Sequence, residues 1–227
     1  MIHGILFDAA DVFYYRPSSP ARHALDLLEQ HGYRMGISAH QRNQQTHLEV
    51  QATEGRITHE AFWDNVLQMH GVDALDVRQT LMMQIFDHAN RVLAIPGGRG
   101  ALAELKRRGF VLGIVTDTMY PLKWKMNWLA QVGVAEYIDV VACSTVLGTH
   151  KPDPAIYLNA LQQAHLTPSE SAFVGHDAGE LAGAHHAGLV TVAVNHDSAA
   201  KADYYAKSLI DLLSVPIFQA SARFSSP

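Results

Sequence analysis

Several apolar runs in this sequence stop at, or just before, residues able to do chemistry. The run from Ile2 to Phe7 ends at Asp8, the run from Phe110 to Val115 is followed by Thr116, and Ser144 and Gly175 stand at or just past two later runs. A carboxylate can act as nucleophile or base, and a hydroxyl can bind or attack. Brought to one place, these groups make a candidate site. Two other reactive residue types are less suggestive. The 14 histidines are scattered rather than set in metal-finger spacing and read mostly as surface or packing residues. The single cysteine, Cys143, excludes an internal disulfide.

The elements that must position these residues follow from hydrophobic periodicity. Ile2 to Phe7 reads as a buried strand that ends in a functional loop. From about Pro20 to Leu93 the period becomes helical, with Leu25, Leu27 and Leu28 in one stretch and Phe62, Trp63, Val66 and Leu67 in another. Thr58, with Glu60 in the first turn, suits the start of that second helix, and its aromatic stripe reads as core. After Ile95-Pro96-Gly97-Gly98 strand and helix alternate: a helix over Gly100 to Arg108, then strands over Phe110 to Val115, Asp139 to Ala142, Ala172 to Val174 and Thr191 to Val194. Such alternation predicts an α/β protein with a parallel, doubly wound sheet covered on both faces. Ligands of such sheets bind beyond the carboxyl ends of the strands, where the chemistry-bearing residues fall. The tail from Ser221 to Pro227 is polar enough to fray.

Composition narrows the function. With 227 residues, 48% of them hydrophobic, the chain can build one sizeable core and a smaller accessory domain. A net charge of −5 without basic runs argues against nucleic acid or an anionic membrane surface as partner. No apolar run approaches the roughly 20 residues needed to span a bilayer, and the N-terminal stretch lacks the marks of a signal peptide. The cytoplasm is the expected compartment.

In order along the chain, four segments resemble the motifs of the haloacid dehalogenase superfamily. They are Phe7-Asp8-Ala9-Ala10-Asp11-Val12, Val115-Thr116-Asp117, Gly148-Thr149-His150-Lys151-Pro152-Asp153-Pro154 and Val174-Gly175-His176-Asp177-Ala178-Gly179-Glu180. The third, followed by Ile156 and Tyr157, is the most specific, and Ala184, Ala187 and Gly188 continue the pattern after the fourth. The resemblance implies a Rossmann-like core from residues 1–15 and 95–227, with a small all-helical cap from residues 16–94. It also implies roles. Asp8 would attack an electrophile to form a covalent aspartyl intermediate, later hydrolysed by water. Thr116 would offer its hydroxyl and the amides after it to an anionic substrate oxygen, and Lys151 would screen the charge between Asp8 and that substrate. Asp117 is expected to contact substrate. Asp8, Asp177 and Glu180 are the expected Mg²⁺ ligands. Trp63 and either Tyr14 or Tyr15 are candidate pocket walls.

Two departures matter. Phosphatases of the superfamily carry a general acid two residues after the nucleophile, where this chain has Ala10, and its loss costs on the order of 10²–10⁴ in rate. Asp11, one residue further, points elsewhere on an extended turn. The fourth motif has His176 where an aspartate is usual, and imidazole is a poor Mg²⁺ ligand, so any Mg²⁺ site is expected to be weak. The resemblance implies an aspartate-dependent hydrolase for a small phosphorylated metabolite. A metal-independent 2-haloacid dehalogenase and a non-catalytic binding protein stay open as alternatives.

Overall fold

A computed structural model describes residues 1–219, and the Ser221–Pro227 tail lies outside them. The chain begins with strand β1 (Gly4–Phe7), followed by a two-residue strand β2 (Tyr14–Tyr15). Four helices come next, α1 (Pro20–Gln30), α2 (Ala39–Thr53), α3 (His59–Met69) and α4 (Leu75–Ala89), and then β3 (Leu93–Ala94). Strand and helix then alternate through α5 (Gly98–Arg107), β4 (Val111–Thr116), α6 (Leu122–Gln131), β5 (Val140–Cys143), the short α7 (Ser144–Leu147) and α8 (Pro154–Ala164). Next come β6 (Ser171–Gly175), α9 (Ala178–His186), β7 (Val190–Val194) and β8 (Tyr204–Ala206), and two short 3-10 helices, Ile210–Ser214 and Pro216–Phe218, close the described part.

Six strands form one sheet in the order β5-β4-β1-β6-β7-β8, and every neighbouring pair is parallel. The N-terminal strand therefore sits inside the sheet, flanked by β4 and β6. Because successive side chains on a strand face opposite ways, β1 feeds two cores. Ile5 and Phe7 join Leu112, Ile114 and Val192 against α5 and α6 on one face. Leu6 joins Val115, Phe173 and Ala193 against α8 and α9 on the other. This is the doubly wound α/β architecture expected from the alternation, and all of the expected strands form within one or two residues of their expected limits. β8 and the β2–β3 pair were not anticipated. Both are two or three residues long, too short to carry a period.

The helices α1 to α4 pack on one another through Leu27, Leu28, Phe62, Trp63, Val66, Leu67, Leu81 and Ile85. The aromatic stripe of α3 is thus core, except where Trp63 reaches beyond it. Thr58 caps α3 as expected, its Oγ1 accepting from the Ala61 amide at 3.2 Å. The two places where the chain passes between this helical block and the sheet are tied together. β2 and β3 pair antiparallel, Tyr14 opposite Ala94 and Tyr15 opposite Leu93. Among the described residues no helix is long and apolar enough to cross a membrane.

Candidate active site

Asp8 follows the last residue of β1 and is buried. Its amide donates to the carbonyl of Val174 at 3.0 Å, which locks the loop start onto the neighbouring strand β6. The side chain enters a charged network. Lys151, buried on the loop before α8, donates through Nζ to Oδ1 of Asp8 and lies 2.8 Å from Oε1 of Glu180. Nε2 of His176 stands 3.6 Å from the other Asp8 oxygen, Oδ2. Burial works against the Lys151 ammonium, but Asp8, Glu180 and Asp117 outweigh it and hold the pKa above the ordinary lysine value. Glu180 is pushed up to about 7, first by burial and then by the negative charge of Asp8, with Lys151 opposing both. Its Oε2 is buried without a hydrogen-bond partner among the described residues, which leaves Lys151 at Oε1 as the group that offsets its charge.

The second strand end is equally constrained. Thr116 is the last residue of β4 and buried, with Oγ1 3.4 Å from the carbonyl of Asp117. Of the amides after it, that of Thr118 is already taken by Oγ of Ser144 at 3.0 Å, and the same hydroxyl donates to the Thr118 carbonyl at 3.3 Å. Ser144 therefore shapes the Thr116 loop rather than opening a site of its own. Oδ1 of Asp117 accepts from the Lys151 amide at 3.2 Å, so the second motif holds the third in place. Burial raises the pKa of Asp117. Asp11 is exposed and adopts a left-handed backbone conformation (φ 56°), with Nδ2 of Asn195 3.5 Å from its carbonyl.

A cavity of about 380 Å³ lies between these loops and the helical block, with Ala10, Tyr14, Trp63, Asp117 and Tyr120 among its lining residues. Trp63 crosses from the helical core to this boundary, its Nε1 3.4 Å from the hydroxyl of Tyr120. Of the two candidate tyrosines, Tyr14 faces the cavity, whereas Tyr15 is 41% exposed. Adjacent residues of a strand point to opposite faces, and the apolar run alone did not say which would point inward. Three more lining residues, Arg16, Lys125 and Trp128, were not singled out in the sequence. Their only signal was a lysine set between two tryptophans on an otherwise ordinary helix.

Residues 55–194 match the haloacid dehalogenase-like hydrolase family. The chain belongs to that family. It is 26% identical over 203 residues to the glyceraldehyde 3-phosphate phosphatase of Methanopyrus kandleri, an alignment covering 86% of this chain and 84% of that protein. It is 27% identical over 146 residues to a probable phosphoglycolate phosphatase of Pseudomonas putida, covering 64% of this chain and only about half, 54%, of that protein. A 2-haloacid dehalogenase from Pseudomonas syringae has a similar structure, with a TM-score of 0.68 and 25% identity over 94% of this chain and 97% of that one.

The family match begins after the N-terminal motif, so Asp8 enters through geometry: it shares one ammonium with Glu180 of the fourth motif. Phosphatases of this superfamily use Mg²⁺, and the residues expected to hold it here do not fit that ion. Oδ1 of Asp177 accepts from the Glu180 amide at 2.9 Å and caps α9. Oε1 of Glu180 faces Lys151, and an imidazole stands beside Oδ2 of Asp8. Among the described residues no three His, Cys, Asp or Glu side chains are grouped to hold a metal. Asp8, Asp177 and Glu180 are thus near one another in the fold without forming the octahedral oxygen set that Mg²⁺ demands. Asp177 serves as a helix cap because its position, one residue before α9, gives its carboxylate a free amide to accept from.

Proposed function

We propose that this hydrolase cleaves a small phosphate monoester through covalent attack by Asp8. The observation that carries the reading is the division of labour at the Asp8 carboxylate: Lys151 takes Oδ1, and Oδ2 is left facing the loop of His176. In this reading Oδ2 attacks phosphorus, the bond to the alcohol oxygen breaks, and an aspartyl phosphate forms. The departing oxygen takes a proton from solvent because Ala10 cannot supply one. Water then attacks the aspartyl phosphate, losing a proton to Glu180, and releases inorganic phosphate and the free Asp8 carboxylate. Lys151 balances the charge of nucleophile and phosphoryl group, and Thr116 with Asp117 borders the substrate. Residues 16–94 act as a cap over a core of residues 1–15 and 95–227. A reducing compartment such as the cytoplasm suits the single buried thiol, Cys143. The phosphatase relative that aligns over most of the chain supports the substrate class.

Dehalogenation is the second reading, favoured by one observation: the groups around Asp8 form an ion-pair network with an imidazole rather than an oxygen cage. The same Oδ2 would then displace halide from carbon. One panel separates the two. Phosphate esters and 2-haloacids are assayed with Mg²⁺ and with chelator, with Asp8→Asn as control. Ester hydrolysis lost in Asp8→Asn supports the phosphatase. Halide release in chelator without ester hydrolysis replaces it with the dehalogenase. Turnover of neither class turns the reading to a binding protein.

A further inference from the structure

In the wall of the cavity stand two cations that the chemistry above does not use. Lys125 of α6 is 2% exposed. Its Nζ donates to the hydroxyl of Tyr14 at 2.8 Å, lies 3.4 Å from the carbonyl of Asp117, and sits 5.4 Å and 5.5 Å from the ring centroids of Trp128 and Tyr14. The guanidinium of Arg16 lies 4.3 Å from the Trp128 ring centroid and donates through Nε and Nη2 to the carbonyl of Ala89. Both side chains line the cavity. Among the described residues neither forms an ion pair with a carboxylate. The cavity's two acids are engaged or peripheral: Asp117 accepts from the Lys151 amide, and Glu49 is exposed on α2.

A buried ammonium is costly to hold without a counter-charge. One phenol, one carbonyl and two aromatic faces compensate only in part. The Arg16 fork has donors to spare after Ala89, and a carboxylate matches that planar geometry. Lys125 also touches the carbonyl of the residue directly after Thr116, the strand end adjoining β1 and Asp8. An anion held by Lys125 would therefore lie beside the Asp117 loop, whose carboxylate accepts from the amide of Lys151, the partner of Asp8.

We propose that Lys125 and Arg16 form a subsite for a carboxylate, so that the substrate carries a carboxylate in addition to its scissile group. The proposal rests on the reading of Asp8 as the attacking group.

The test compares two inert phosphonates of nearly equal shape, phosphonoacetate and ethylphosphonate, by calorimetry, together with the hydrolysis of phosphate esters with and without a carboxylate. The unmodified protein should bind phosphonoacetate roughly 10- to 100-fold more tightly, as a hydrogen bond between charged groups predicts. Lys125→Met, which keeps the volume and removes the charge, and Arg16→Met should each reduce that preference to less than about 3-fold. Lys125→Arg should retain most of it. Arg16 is only partly buried, so its variant carries the same test should Lys125→Met fail to fold. Equal binding of the two phosphonates, or a preference that survives both Met variants, overturns the subsite. Hydrolysis of carboxylate-bearing and neutral esters with equal kcat/KM also overturns it while leaving Asp8 chemistry intact. A carboxylate preference lost in the Met variants, with no ester turned over, upholds the subsite and overturns the phosphatase reading.

Discussion

His176 places its Nε2 3.6 Å from Oδ2 of Asp8, the carboxylate oxygen that Lys151 does not contact. An imidazole thus stands where the superfamily's phosphatases bring a hard oxygen toward Mg²⁺, and the acid two residues after Asp8 is replaced by Ala10, which lines the cavity.

Restoring both groups should restore phosphatase turnover. The unmodified protein is expected to bind Mg²⁺ no better than about millimolar, and His176→Asp should tighten this about tenfold or more, read by calorimetry. Ala10→Asp with His176→Asp should then raise phosphate ester hydrolysis by about 10²-fold or more, and each single change by less, because an acid is of little use to a poorly held phosphoryl group. Adding Asp8→Asn should remove the gain. A double variant that folds, binds Mg²⁺ and hydrolyses no ester in a broad panel counts against the phosphatase reading.

Lys151 neutralises two buried carboxylates at once. Lys151→Met should cost about 3 kcal/mol or more at pH 8, since removing one partner strands buried charge. The loss should be smaller at pH 5, where Glu180, whose pKa is already raised to about 7 and is no longer lowered by Lys151, takes up a proton. Urea unfolding at the two pH values measures this. Equal losses at both would mean that packing of the lysine stem, rather than its charge, is what matters.

Glu180 gives opposite signs for activity and stability. Its pKa of about 7 in the folded protein lies above the ordinary carboxylate range. The folded state therefore holds this proton more tightly than the unfolded chain, and the group favours folding at acid pH. That contribution is lost as pH rises from the ordinary carboxylate range through about 7. If Glu180 accepts the proton of the attacking water, kcat should rise over the same interval. Glu180→Gln should flatten both profiles. A rising kcat limb that persists in Glu180→Gln would assign the base elsewhere.

Gly183, in α9, was not noticed in the sequence, yet it lets the helix approach the loop carrying Lys151. A Cβ at this position would stand 2.6 Å from the carbonyl oxygen and 2.7 Å from Cβ of Pro152. Gly183→Ala should therefore destabilise by about 1–3 kcal/mol and lower kcat as Lys151 is displaced. Thermal unfolding and steady-state rates check both effects. Unchanged values would show that the Pro152 loop yields without moving the lysine.

The sequence by itself determined the parallel α/β core, the helical stretch between Pro20 and Leu93, and the residues at the strand ends. Each rests on a local property: a run of β-branched and aliphatic residues, a helical period, or a motif whose residues are contiguous. Strand ends such as Asp8 and Thr116 were legible because parallel strands bring their carboxyl ends to one edge whatever the order of the sheet. What required the tertiary structure were relations between segments. Lys151 bridges Asp8 and Glu180 because β1 lies between β4 and β6, an order that no local pattern encodes. Asp177 caps α9 instead of facing an ion because helix α9 starts one residue after it. Tyr14 faces inward and Tyr15 outward because β2 pairs with β3, nearly 80 residues away, in one register and not the next. Lys125 was not singled out in the sequence, because its burial depends on Tyr14, 111 residues away, which closes over it beside Trp128 of its own helix. Burial and partnership are properties of contacts between distant segments, and those the fold alone decides.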